Sequence, residues 1–422
     1  MRRDCLIAGS LFWIALGIQT SEAQYSADFQ TNIISGVTNN WTGYYYIGGV
    51  GDVLLVRSNG LLVCSGTGVF GNTFHGSNNS ALVTGPGSVW SNAGVLVGES
   101  GDRCSVVISN GGHMVSTASS TIGDLSSSNS VLVTGSNSAW YCGSSVVVGN
   151  YGVSNRLIIS NGGQVTNTIA TIGQTSGGHS ALVTGSGSVW SNAQLRLFFT
   201  GNSLVISNEG QVVVSGSSEI GYLSSNSVRV VDGGAWQNNT LTVGHSGSAN
   251  SLVIAGGFVT ATSAVIGDAS TTCDNILELD SGSLVVTNAT GTGVLEVRHG
   301  GLILNGGLLQ ADTLVITDPC ASFVHTGGTL AVGSVILDPN TFRIVSVARQ
   351  TNDMLVTWMM GPGATNALQV TAGSADGGYT TNGFKDIFVV TNNTAVGTVT
   401  NYLDVGAATN VPSRYYRARL VP

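Results

Sequence analysis

Charge is what this 422-residue chain has least of: Asp, Glu, Lys and Arg make up 9% of it, with 14 basic and 22 acidic residues and a net charge of −8. No basic block is present, so a phosphate backbone finds little to bind and nucleic acid is excluded as a partner. Proline is scarce as well, at 6 residues, while hydrophobic residues reach 42%. A chain of that balance buries a sizeable core and is not disordered by composition. Helical periodicity is missing from the body of the sequence. Beyond Ile18 no apolar run approaches the roughly 20 residues that a membrane-crossing helix needs, so the mature chain is expected to carry no transmembrane span.

Metal and nucleotide signatures are also lacking. Cys64, Cys104, Cys142, Cys273 and Cys320 form no C-x-x-C pair and stand at irregular spacing. They are expected to be isolated core or turn residues, neither a disulfide framework nor a zinc site. His75, His113, His179, His245, His299 and His325 are scattered without metal-ligand spacing. No glycine pair is followed by the Lys and Ser or Thr of a phosphate loop, and no helix follows to complete a dinucleotide site. No cofactor and no metal are implied, and no Ser-His-Asp arrangement stands out among the many serines.

What the sequence does have begins with a leader. Met1-Arg2-Arg3-Asp4, an apolar run from Cys5 to Ile18 and the small-x-small site Ser21-Glu22-Ala23 read as a bacterial secretory signal peptide over residues 1–23. Residues 24–40 form a lead-in. Repetition follows: Asn79-Ser80-Ala81-Leu82-Val83-Thr84-Gly85 recurs from Asn129 and from His179, each 50 residues from the next. Sister segments from Ser105 and Arg156 lie between, and Ser203, Ser227 and Ser251 continue at steps of 24. A Val/Ile-Gly landmark keeps the same beat at Gly98, Gly123, Gly149, Gly173, Gly221, Gly244 and Gly267.

A unit of about 24 residues holding β-branched runs between Gly, Asn and Ser is too short for a propeller blade of about 40 to 45, and it cannot bury its own apolar face. The expected fold is all-β: a right-handed parallel β-helix of about twelve coils over 41–339, followed over 340–422 by a small β-sandwich-like module of about six short strands with turn residues between them. Strand alternation places Ala81, Val106, Val131, Leu157, Ala181, Leu204 and Leu252 inside, with Val83, Ile108, Val133, Ile159, Val183, Ile206 and Ile254. By the same parity Asn79, Asn129, Asn155, Asn202, Asn226 and Asn250 point inward as an amide ladder with a coil spacing of about 4.8 Å. Gly112, Gly163, Gly234 and Gly257 are assigned to turns of positive φ.

The segments Val83-Thr84-Gly85-Pro86-Gly87-Ser88-Val89-Trp90, Val133 to Trp140 and Val183 to Trp190 alternate with Ile108-Ser109-Asn110-Gly111-Gly112 and Ile159-Ser160-Asn161-Gly162-Gly163. This pattern resembles the repeats shared by type V secretion (autotransporter) passengers and PEP-CTERM proteins. The resemblance covers roughly Trp41 to Gly291 and implies an exported bacterial surface or extracellular β-helix; its motif is specific to the repeat type and not to an activity. The chain departs from the family in lacking a translocator barrel, since about 80 residues follow the array, and in lacking a Pro-Glu-Pro sorting signal. Self-export and sorting-signal anchoring are therefore not expected.

Three features bear on function. Trp90, Trp140, Trp190 and Trp236 recur every second coil and, if outward, form a stripe with about 10 Å between rings that suits stacking against glycans; the alternative is that they fill the interior. Leu82, Val107, Leu132, Ile158, Leu182, Val205 and Val253, broken by Arg229, form an outward apolar column, a candidate face for self-association or adhesion. Glu99, Asp124, Asn150 and Gln174 follow the glycine landmark; they read as a solvated polar ladder, although stacked carboxylates at about 5 Å match retaining glycosidases. The expectation is a non-catalytic adhesive protein presenting a β-helix face to glycans or cell surfaces. The alternative is a secreted polysaccharide lyase or glycoside hydrolase on the same scaffold, which would need long loops and clustered charge.

Overall fold

The computed structural model describes residues 25–421 except 26, 270, 319, 338–343, 362, 375–377, 380–381, 394–397 and 410–412. The leader over residues 1–23 and the boundary between array and module at 339/340 lie outside the described residues. Strands alternating in side-chain direction and separated by Gly, Asn and Ser turns leave each segment with one apolar edge to bury. The chain does so by winding into a parallel β-helix of about thirteen coils. Among the described residues there is no helix.

The array starts before Trp41: Thr31–Ser35, Thr38–Trp41 and Tyr45–Ile47 are the three strands of the first coil, and Thr31–Ser35 pairs in parallel with Val53–Arg57 of the next. Each later coil repeats a first, second and third strand, as in Ser80–Thr84, Val89–Asn92 and Val95–Val97. Register is strict on the first face, where Val83 pairs with Ile108, Ile108 with Val133, and Val133 with Ile159. The two expected inward columns are buried throughout, none of their members more than 3% exposed. From Ser251–Ala261 onward the strands lengthen and merge across bends, as in Asn275–Val286 and Leu308–Ile316.

The Asn ladder exists and is longer than the sequence pattern showed. Asp52, Asn79, Cys104, Asn129, Asn155, His179, Asn202, Asn226, Asn250 and Asn275 occupy one buried position in successive coils. Each amide oxygen accepts the backbone N–H of the ladder residue one coil earlier: Asn155 Oδ1 from Asn129 at 2.9 Å, Asn226 Oδ1 from Asn202 at 3.0 Å, Asn275 Oδ1 from Asn250 at 3.1 Å. The glycine landmark belongs to the same device. A Cβ on Gly98, Gly123, Gly173 or Gly244 would collide with the amide of Asn129, Asn155, Asn202 or Asn275, and all four glycines have positive φ. Gly112, Gly163, Gly234 and Gly257 serve differently from the expectation. Positive φ falls on their predecessors Gly111, Gly162, Gly233 and Gly256. The second glycine of each pair is needed because a Cβ would strike the carbonyl of Val83, Val133, Ile206 or Val230 in the preceding coil.

Cysteine usage requires a correction. Cys273 and Cys320 form a disulfide across 47 positions, while Cys64, Cys104 and Cys142 are free and buried. An odd count at irregular spacing concealed the pair because winding brings distant coils together, which spacing along the chain does not report.

The module beyond the array has all six expected strands. They form two three-stranded antiparallel sheets, Ile344–Gln350, Asp353–Met360 and Thr398–Asp404 in one, Thr365–Gly373, Lys385–Thr391 and Ser413–Val421 in the other. Val356, Trp358, Met360 and Leu368 fill the space between the sheets. On the opposite face of the same strand Met359, with Val345, joins the solenoid core, so the module plugs the open C-terminal end of the coil stack.

Candidate functional site

Trp90, Trp140, Trp190 and Trp236 are each 0% exposed, so they form no stripe on the surface and stack against no glycan. They sit on the inner side of the second strands, alternating in register with Met114, Val165 and Val212. The reason is volume. Coils that carry an indole have Ala81, Val131, Ala181 or Val228 and then Val83, Val133, Val183 or Val230 on the first strand. Coils without one have Val106, Leu157, Leu204 or Leu252 and then Ile108, Ile159, Ile206 or Ile254. Large and small residues exchange places so that every coil fills the same cross-section. Trp190 donates its indole N–H to Asn167 Oδ1 at 2.8 Å and Trp140 to Ser116 Oγ at 3.3 Å.

The first face carries the expected apolar column, extended upstream. Ile33, Leu55, Leu82, Val107, Leu132, Ile158, Leu182 and Val205 follow one another in unbroken register before Arg229 interrupts. Hydroxyl columns flank it and are tied two coils at a time: Ser109 donates to Thr84 at 3.0 Å, Ser160 to Thr134 at 2.9 Å, Ser207 to Thr184 at 2.9 Å.

At the corner after the third strand the polar ladder is held coil to coil. Asn150 donates to Asp124 Oδ1 at 2.7 Å, and Thr175 donates to Asn150 Oδ1 at 2.8 Å. Burial, and then the neighbouring Asp124 charge, hold the Glu99 carboxyl above the usual carboxylate range.

Further along this corner the side chains change character, which the sequence repeat did not reveal. Phe198 stacks on Tyr222 with ring centroids 4.6 Å apart and planes at 10°, and Tyr222 faces His245 at 5.3 Å. His245 Nδ1 lies 3.2 Å from Asp268, which pairs with Arg298 at 2.6 Å, and Arg298 also reaches Glu296 at 2.8 Å. His299 and Asp318 are 3.6 Å apart beyond them. The signal available in sequence was the loss of the glycine landmark in Leu197-Phe198-Phe199, where the ladder gains a ring. On the third face beside Phe198 lies an open trough of about 470 Å³ lined by Ser119, Thr121, Ser145, Val147, Thr171, Gln174, Arg196 and Phe198. Thr121, Val147, Thr171 and Arg196 form its floor in consecutive coils, and Arg196 Nε lies 3.3 Å from Glu219 in the next.

These elements define a parallel β-helix repeat protein with a plugged C-terminal end and long outer faces of fixed side-chain spacing. Compared with family models, curated proteins and solved structures, the chain matches none.

Proposed function

We propose that this chain is an exported, non-catalytic structural or adhesive protein whose β-helix is a rigid stalk presenting its side faces to glycans or cell-surface components. The observation that carries the reading is the in-register first face, where eight coils repeat an apolar residue, flanked in six of them by a hydroxyl residue on each side. A face of that regularity is a packing surface: apolar columns of such length are uncommon on monomers, and a second copy of this chain is the cover it fits best. The Cys273–Cys320 disulfide supports an oxidising, exported setting, in line with the leader and with the resemblance to autotransporter and PEP-CTERM repeats. Asp124 hydrogen-bonded to Asn150 favours a structural role for the corner carboxylates over a glycosidase pair. A glycan-array screen of the mature chain tests the reading: binding to a restricted set of extended glycans is expected, and a blank array would remove glycans from the proposal.

A further inference from the structure

The aromatic ladder stops abruptly at Phe198, and the reason lies in the coil before it. Phe198 donates its backbone N–H to Ile172 O, as Gly173 does to Val148 O one coil earlier, so its register partner on that side is a glycine and brings no ring. One face of Phe198 is covered by Tyr222. Phe198 also lines the trough, where Ser119, Thr121, Ser145, Thr171 and Gln174 supply hydroxyl and amide groups.

At the same end Arg196 Nε lies 3.3 Å from Glu219, and the Arg196 side chain lines the trough. A guanidinium pairs with a carboxylate by two parallel N–H bonds. Ring-stacking, hydroxyl partners and a forked cation converge on one ligand chemistry.

We infer that the trough binds an acidic polysaccharide, one uronate ring packing on Phe198 with its carboxylate on Arg196. The inference rests on the adhesive reading above and assigns it a site.

The test is calorimetric titration of the mature protein at low ionic strength with oligogalacturonate, oligomannuronate and a neutral cello-oligosaccharide of matched length, using wild type, Phe198→Ala and Arg196→Gln. Both variants change half-exposed side chains, and circular dichroism and the thermal midpoint report whether each folds as wild type. The site predicts binding of at least one uronate oligomer, weakened tenfold or more by either variant, with Arg196→Gln losing the preference over the neutral oligomer. Salt should weaken the acidic ligand selectively. Uronate binding unaffected by both folded variants would overturn the site and leave the adhesive reading standing. Equal binding of neutral and acidic oligomers, unchanged by Arg196→Gln, would overturn the acidic class. Binding to none of the three, with other glycans positive on the array, would overturn the inference alone; a blank array would overturn it together with glycan binding in the reading it rests on.

Discussion

Single side chains decide how this stack holds together, and His179 is the most exposed to test. It stands where seven other coils have asparagine, accepts the Asn155 backbone N–H on Nδ1 at 3.2 Å, and has Nε2 3.0 Å from Ser176 Oγ. Protonation would put a second donor against that N–H, and burial lowers its pKa to about 4. The unfolded chain binds the proton near pH 6.5, so between about 6.5 and 4 it carries more protons than the fold, and stability rises with pH through that window. Coils around His179 should therefore keep full stability above about pH 6.5 and lose about 3 kcal/mol as the pH falls to about 4. Amide hydrogen exchange of the Asn155 to Ile172 segment reads this, and His179→Asn, which restores the usual ladder residue, should flatten the profile; an unchanged slope would refute the assignment. Trp190→Ala should cost roughly 3–5 kcal/mol, visible in the denaturation midpoint, and leave glycan affinity untouched. The asparagine ladder was legible in sequence because its members share one offset from the first strand. The burial of the indoles was legible too, in the reciprocal exchange of Ala and Val for Leu and Ile on the first strand. Recurrence alone led instead to an outward stripe, because period says that a residue repeats and not which way it points.

At the scale of strands and faces, the first face is the best candidate for association. From Ile33 to Val205 it spans roughly 34 Å by 16 Å, so two copies packed face to face would bury about 1,100 Å², just above the roughly 1,000 Å² that a specific interface needs. Leu132→Lys combined with Val205→Lys should convert a dimer to monomer in sedimentation equilibrium; monomeric wild type would remove self-association. The Cys273–Cys320 bond ties the coils where charge gathers around Asp268, Arg298 and Asp318. Cys320→Ser should cost about 2–4 kcal/mol and speed proteolysis between residues 270 and 320, with little change in the coils around Trp90. The strands themselves were readable from alternation, and the six strands of the C-terminal module from turn residues. The disulfide, the aromatic ladder and the charged belt were not. The Cys273–Cys320, Phe198–Tyr222 and Asp268–Arg298 contacts join residues more than 20 positions apart whose adjacency exists only once the coils are stacked.

The whole molecule is a rod of fixed repeat, closed at one end by a sandwich that shares Val345 and Met359 with its core. Such a shape transmits position and offers length, and its outer chemistry varies along the axis from carboxylates at Glu99 and Asp124 through rings at Phe198 and Tyr222 to ion pairs at Asp268 and Arg298. That variation on a constant core is what a binding stalk requires. An enzyme on the same scaffold would instead need a reacting bond brought against an acid and a base. The most direct test is prolonged incubation of the purified mature protein with whichever glycan it binds, followed by measurement of chain length and of newly formed reducing or unsaturated ends. The account predicts that the glycan is recovered at its original length; shortened chains whose formation is abolished by Glu99→Gln would contradict it.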